Sequence, residues 1–179
     1  MEAVKALAVL CLLAGCLVVP GSQSTIGVVG TSKLLRYRGG IGAHLSAFDR
    51  HDENVVDIGA GYVAESGGAA PTAHGTYVSL SRRLTRRVWL GGRAEQFWRI
   101  EDPALPTRGL VVRLALRQHV RGVGAAASDN RSLVAAWGAV ATGAFVELGG
   151  RELAGGGNEL FAAAGVALEL PLLFGAAGR

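Results

Sequence analysis

Residues 110–121 read LVVRLALRQHVR, and the alternation in this stretch decides the fold class. Apolar residues occupy the even-numbered positions from Leu110 to Leu116, while Arg113 and Arg117 occupy odd-numbered positions. A helix would distribute these arginines around its cylinder, whereas an extended strand places alternate side chains on opposite faces. The stretch therefore predicts a β-strand with one apolar face and one charged face.

The same alternation recurs along the chain and predicts about eight strands. The predicted strands comprise residues 26–29, 35–47, 55–65, 76–84, 87–101, 110–121, 133–148 and 159–174. Turn residues separate them at positions 30–33, 49–54, 66–72, 102–106, 127–131 and 149–157, with a hairpin tip at 82–87. Strands joined by short turns pair as antiparallel neighbours, and closure removes the unpaired edges. The sequence thus predicts an all-β fold, an antiparallel up-and-down β-barrel of about eight strands after an N-terminal signal segment.

The composition agrees with one such domain. The chain has 179 residues, of which 27 are glycine and only 6% are aromatic, which suits turns and curved strands better than helices. The net charge of +4 comes from arginines spread over the chain, without a basic arm. This distribution favours solvated or internally paired charges, and we expect no nucleic-acid partner.

Residues 1–24 are predicted to be a signal peptide, which leaves residues 25–179 for the barrel. Lys5 supplies a positive start, and an apolar run follows from Ala6 to Val19. This run is shorter than the roughly 20 residues that a membrane-spanning helix needs. Pro20-Gly21 then ends it, so the segment indicates export of the protein.

Two cleavage sites remain open. Leu13-Ala14-Gly15-Cys16 resembles the lipobox of bacterial lipoproteins, a family in which the cysteine becomes the first mature residue and carries lipid. Cys16 is therefore the lipidation candidate, and the absence of Asp at position 17 implies the outer membrane for a member of that family. Alternatively, ordinary cleavage follows Ser22-Gln23-Ser24. Cys11 and Cys16 are the only cysteines, so we expect no disulfide in the mature protein.

The alternation leaves open which face points into the barrel. Soluble barrels of the lipocalin or avidin type place apolar residues inside, whereas transmembrane barrels place them against lipid. The apolar faces are nearly free of charge for 9 to 13 residues, which suffices for tilted membrane-spanning strands. The opposite faces mix Arg with Glu and Asp, as a small neutralised barrel interior requires. These features favour the transmembrane arrangement.

The last predicted strand ends in Phe174 after alternating leucines, which resembles the C-terminal signal of outer-membrane barrels. The chain from Ile26 to Phe174 is similar to small bacterial outer-membrane β-barrels as a class. Candidates for the aromatic girdle of such a barrel are Trp98, Tyr37 and Tyr62. The resemblance implies the outer membrane of a Gram-negative cell, with outer-membrane lipid and other envelope proteins as partners. A lipid on Cys16 would instead favour a soluble periplasmic or surface barrel tethered to the membrane.

The sequence indicates no catalytic, cofactor or metal site, and we expect the protein not to be an enzyme. The four histidines, His44, His51, His74 and His119, lack the spacing of a zinc site. The polar cluster at residues 49–53 is interpreted as a solvated loop rather than a cation site. His44 shares a strand face with Ser46, and Ser79 with Ser81, but nothing in the pattern assembles a nucleophile, a base and an orienting group.

One local basic patch consists of Arg82, Arg83, Arg86 and Arg87. These residues either contact lipid head groups or an acidic partner, or they keep a hairpin tip soluble. Three functional hypotheses follow for the whole chain. The first is an envelope barrel with a structural or interaction role, as an accessory part of an envelope assembly. The alternatives are a membrane-tethered soluble barrel that binds a small apolar ligand, and a lipid-modifying barrel enzyme.

Overall fold

The computed structural model describes residues 17–31, 35–48, 54–67, 70–98, 102–120, 125–126, 135–136 and 140–171. Eight long antiparallel strands form one closed barrel, which confirms the predicted fold class. These strands are β1 (Leu17–Gly30), β2 (Leu35–Phe48), β3 (Asn54–Gly67), β4 (Ala70–Arg83), β5 (Val88–Trp98), β6 (Pro106–Val120), β9 (Val140–Leu153) and β10 (Asn158–Pro171). Two short strands, β7 (Ala125–Ala126) and β8 (Ala135–Ala136), pair with each other outside the barrel sheet.

The barrel is a meander that closes on itself. Barrel strands that follow one another in the chain are neighbours, β6 pairs with β9, and β10 closes the ring against β1. Directly paired residues can be followed once around the barrel, from Leu168 of β10 through the other seven strands and back to Asn158 of β10. The ten residues between these two positions are the stagger of the strands. The path runs through Leu168, Ser24, Ile41, Tyr62, Thr76, Gln96, Arg108, Glu152 and Asn158. This stagger tilts the strands by about 40° from the barrel axis.

The two ends of the barrel carry different connections. At the terminal end, β1 begins, β10 ends, and the turn at residues 84–87 joins β4 to β5. At the opposite end, which we call the distal end, residues 102–105 lead into β6 and the turn at residues 154–157 joins β9 to β10. Leu105 folds inward at the distal end and is fully buried against Val63, Ala73, Tyr77 and Phe97. The backbone amides of Ala154 and Gly155 donate hydrogen bonds to the carbonyls of Leu105 and Pro103, which fixes this inward fold.

Several strand boundaries correct the sequence-based expectation. β1 begins at Leu17 instead of Ile26, because all of residues 17–24 pair with β2. The strand therefore begins inside the predicted signal segment. β9 spans Val140–Leu153 in place of 133–148, since Gly149 and Gly150, expected in a turn, continue the ladder with β10. β4 begins at Ala70 and β6 at Pro106, both earlier than expected, because Ala70 pairs with Gly67 of β3 and Pro106 with Leu153 of β9. Phe174 lies outside the described residues.

Apolar side chains cover the outside of the barrel, and charged side chains fill the inside. Exposed apolar residues include Ile26, Leu35, Ile41, Val78, Leu110, Val112, Leu148, Leu160 and Val166. Buried polar residues include Arg36, Arg38, Asp57, Glu65, Arg93, Glu95, Arg117, Glu147, Arg151 and Glu169. This arrangement is the reverse of a soluble protein, in which charged residues are almost never fully buried.

Glycines give the lumen room for aromatic rings. Direct cross-strand pairs place an inward glycine opposite an inward ring at Gly61–Tyr77, Gly75–Phe97, Gly149–Phe161 and Gly165–Phe145. A Cβ atom added at Gly149 would lie 2.8 Å from the Phe161 ring, which is too close for any real contact. The abundance of glycine therefore has a packing cause, because each notch accepts a ring from the neighbouring strand.

Candidate functional site: a charged lumen inside an apolar wall

The centre of the lumen is a cluster of ion pairs around Arg38, a β2 residue that is only 5% exposed. Its guanidinium contacts Glu65 and Glu95, and its Nε atom lies 3.6 Å from Glu147. The three carboxylates come from β3, β5 and β9, so one side chain joins strands from opposite sides of the barrel. Burying charge is costly unless each ion is paired, and this arrangement supplies the pairing.

Further arginines extend the cluster toward the distal end and the centre. Arg93 lies 2.6 Å from Glu95 and 3.0 Å from Glu147. Arg151 donates to Glu65 at 2.8 Å and to Glu159 at 3.0 Å. Each carboxylate at the centre is thus shared by at least two arginines, which makes the cluster one connected network.

A second group of polar side chains occupies the lumen near the terminal end. Arg117 contacts Asp57, and its Nε atom lies 3.2 Å from Glu169. Gln23 of β1 donates a hydrogen bond of 2.7 Å to the same Glu169 carboxylate. This group therefore connects β1, β3, β6 and β10 across the line along which the barrel closes.

Aromatic rings separate the arginines from the glycine notches. The guanidinium of Arg113 lies 3.9 Å from the centroid of the Phe145 ring, and that of Arg93 lies 5.1 Å from the centroid of the Tyr77 ring. Cations placed over ring faces gain electrostatic attraction, more so where water is excluded. The lumen is therefore built in layers of glycine, ring, guanidinium and carboxylate.

Arg36 differs from the other arginines in the lumen. It is 2% exposed, yet its three guanidinium nitrogens make no hydrogen bond in the described part of the structure. Arg38, Arg93, Arg113, Arg117 and Arg151 each contact at least one carboxylate. Among the described residues, Arg36 is thus a buried guanidinium without a hydrogen-bonded partner, an arrangement that costs the fold energy.

These side chains fill the lumen near the terminal end, whereas toward the distal end an open concavity of about 1190 Å³ is lined by inward residues such as Tyr77 and Arg151 and by outward residues such as Leu110. Two interior concavities that Gln23, Arg113, Arg117 and Glu169 help to line have volumes of about 30 and 10 Å³. The larger can hold about one water molecule, far less than the roughly 300–1,000 Å³ of a ligand pocket. Within the described residues, the lumen therefore offers neither a pore nor a ligand chamber at these positions.

The outer wall carries an apolar band between two polar rims. On β6, exposed Arg108 and exposed Gln118 bound the band, with Leu110, Val112, Leu114 and Leu116 between them on the same face. The ten residues from Arg108 to Gln118 cover about 33 Å along a strand and about 25 Å along the axis of a barrel with this tilt. Arg108 also forms an exposed ion pair with Glu152 at the distal rim.

Aromatic side chains gather on the outer wall toward the distal end. Tyr62 is hydrogen-bonded to His74, and its ring centroid lies 6.1 Å from that of Trp98. Tyr37 is exposed on the neighbouring strand β2. The three residues expected in an aromatic girdle, Trp98, Tyr37 and Tyr62, therefore all face outward.

The predicted basic patch lies at the terminal end. Arg82 ends the outer face of β4, and Arg86 and Arg87 are exposed in the turn beyond it, whereas Arg83 is half-buried. Leu84 at the same turn is also exposed, so the patch includes an apolar tip. Cys16 and the polar cluster at residues 49–53 lie outside the described residues. The turn at residues 84–87 joins β4 to β5, so the predicted position of the patch at a hairpin tip is confirmed.

Serine, histidine and carboxylate side chains meet in the lumen near the terminal end. His44, Ser79 and Asp57 help to line the small concavity near the terminal end. The Nδ1 atom of His44 is buried and makes no hydrogen bond, so no carboxylate orients this ring through that atom. The sequence missed the main feature of the interior, because which arginine meets which carboxylate depends on barrel closure.

Among the described residues, no helix is long and apolar enough to cross a membrane. Among those same residues, no three His, Cys, Asp or Glu side chains are grouped so that they could hold a metal ion. No family model, no curated protein and no solved structure matches this chain.

Proposed function

We propose that this protein is an integral β-barrel of a bacterial outer membrane, with a structural or interaction role in the cell envelope. The observation that carries the proposal is the pairing of an apolar outer wall with a charged, ion-paired lumen. Soluble monomers rarely expose contiguous apolar patches larger than a few hundred Å². An apolar wall on every barrel strand is stable where lipid replaces water around it.

The dimensions and the aromatic residues of the wall support the same environment. The apolar band of about 25 Å equals the height of the lipid-facing band in outer-membrane barrels. Trp98 and Tyr37 lie toward one edge of that band, where amphipathic rings favour the membrane interface. Closure of the ring gives every barrel strand a hydrogen-bonded neighbour on both sides, which a membrane-spanning sheet requires.

Because ion pairs occupy the middle of the lumen, we expect the protein to act through the outer surfaces of the barrel. The two concavities near the terminal end are too small for an apolar ligand, and charged residues line the lumen, which disfavours the alternative of a tethered soluble ligand carrier. The ion pairs in the lumen stabilise the wall and leave the two ends available for contacts with envelope partners. The terminal end carries Arg82, Arg86 and Arg87, which suits anionic lipid head groups.

The decisive experiment places a charge in the middle of the wall. Val112 is exposed near the centre of the band, so in a membrane the Val112→Arg variant should insert poorly, with a cost of about 2–4 kcal/mol. The matched control is Leu84→Arg, which is similarly exposed but lies in the turn at the terminal end. Membrane insertion is measured by carbonate-resistant fractionation and by the heat-dependent shift of the folded barrel on a gel.

In the proposed environment, Val112→Arg lowers the inserted fraction and Leu84→Arg does not. If Val112→Arg instead left the protein in a soluble fraction with unchanged or improved folding, the wall would face water and the proposal would fail. A wild-type protein that carbonate releases from membranes would contradict it equally. The predicted lipid on Cys16 is read from the same fractions as an added mass on the mature chain.

A further inference from the structure

The first eight residues of β1 all pair with β2, and the last four of them also pair with β10. Residues Leu17–Ser24 pair with residues 41–48 of β2, and Gly21–Ser24 also pair with residues 168–171 of β10. The ladder between β1 and β10 is the one that closes the ring. This segment therefore supplies backbone partners that no other part of the barrel provides to β2 and β10 at these positions.

Side chains of the same segment belong to the lumen. Gln23 donates to Glu169 at 2.7 Å, and Glu169 is buried together with Arg117. Gly21 lies against the imidazole ring of His44, and a Cβ atom at position 21 would overlap that ring. The interior is thus shaped around residues 21–23, in the same way as around the rest of β1.

Cleavage after Ser24 would remove this segment and leave the barrel open between β2 and β10 at its terminal end. It would leave Thr25–Gly30 as a six-residue strand, whereas the other barrel strands have 11 to 15 residues. Residues 41–48 of β2 and 168–171 of β10 would lose their hydrogen-bonding partners on β1. Within a membrane each unpaired backbone group costs several kcal/mol, so the opened edge would be strongly unfavourable.

We infer that the mature protein retains Leu17–Ser24 and that export cleavage occurs N-terminal to Leu17. This inference rests on the proposed membrane barrel and on the predicted signal segment. A signal peptidase hydrolyses one peptide bond there, and water supplies the hydroxyl of the new carboxyl group and a hydrogen of the new amine. The small residues Ser22 and Ser24 are then wall residues of β1 and not a cleavage signal.

The test is the mass and N-terminal sequence of the mature protein, purified from the outer membrane of cells that express the full chain. We expect a chain that begins at or before Leu17. A folded membrane barrel that begins at Thr25 would overturn the inference while leaving the proposed function intact. A protein absent from the membrane would instead refute the proposed function.

A full-length double variant, Ser22→Leu with Ser24→Leu, tests the cleavage site independently. Both residues lie on the outer face of β1, between Pro20 and Ile26, so leucine fits the apolar wall. We expect unchanged maturation and an unchanged heat-dependent gel shift. Accumulation of uncleaved precursor in the double variant, with normal processing of the wild type, would show that cleavage uses Ser24 and would overturn the inference.

Discussion

Arg38 and Arg36 lie on the same strand and are both almost fully buried, but their surroundings differ. Arg38 contacts the carboxylates of Glu65, Glu95 and Glu147, whereas the guanidinium of Arg36 makes no hydrogen bond among the described residues. Breaking a buried ion pair leaves the remaining charge uncompensated, while removing an unpaired buried charge relieves a cost. The two residues therefore form a natural comparison.

We expect Arg38→Leu to lower the free energy of unfolding by about 3–5 kcal/mol, because three buried carboxylates lose a shared partner. Arg36→Leu should leave the free energy of unfolding unchanged or raise it. Urea titration of the purified barrel in detergent micelles, followed by the heat-dependent gel shift, measures both values. Equal losses for the two variants would contradict the assignment of the network to Arg38.

At the residue scale, the sequence predicted the sorting of charges but not their pairing. Alternation placed Arg113, Arg117 and Glu169 on faces opposite to the apolar residues, and the structure buries those faces. The pairing of Arg38 with Glu95 joins residues 57 positions apart, and no local pattern encodes that distance. The alternation alone left open which face points inward, whereas the mixed charges opposite nearly charge-free apolar faces favoured a charged interior, and the structure has that interior.

At the scale of the strands, glycine notches decide how closely neighbouring strands approach. Gly61 of β3 faces Gly42 of β2 and Tyr77 of β4, and a Cβ atom at position 61 would lie 2.9 Å from the Tyr77 ring. The same atom would overlap backbone atoms of β2, which cannot move without disturbing the ladder. Gly39 of β2, in contrast, has only the Thr25 carbonyl nearby, at 3.9 Å.

We therefore expect Gly61→Ala to destabilise the barrel by about 1–3 kcal/mol through overpacking. Gly39→Ala serves as the control and should be neutral or stabilise the barrel by up to about 1 kcal/mol, since alanine restricts the unfolded chain. Thermal unfolding of both variants in the same detergent gives the comparison. A Gly61→Ala barrel as stable as the Gly39→Ala barrel would show that the notch is not needed.

Strand boundaries show where local signals were insufficient. Gly149-Gly150 has the composition of a turn, yet both residues continue β9, because the Phe161 ring fills the space beside Gly149. Leu17–Ser24 has the composition of a signal segment, yet it forms half of β1. In both cases a partner distant in the sequence determines the conformation, and such partners are invisible to a pattern of alternating residues.

At the scale of the whole molecule, the filled lumen predicts a barrel that does not conduct ions. The concavities beside Arg113 and Arg117 hold about 30 and 10 Å³, and the ion pairs around Arg38 cross the middle of the barrel. We expect no stepwise conductance from the purified protein in a planar lipid bilayer. Insertion is verified by protease protection in liposomes of the same lipid, and regular unitary openings would contradict a filled interior.

Closure of the ring by β1 and β10 also determines when the molecule can finish folding. The bond from Ser22 to Leu170 joins residues 148 positions apart, while most other barrel ladders connect consecutive strands. Loop closure over such a distance is entropically costly and slow. The two edge strands of the growing sheet each lack one neighbour until β10 has been synthesised and has paired with β1 and β9. During that period the two free edges are exposed to pairing with other chains, so the time to closure is the interval in which this topology is prone to aggregate.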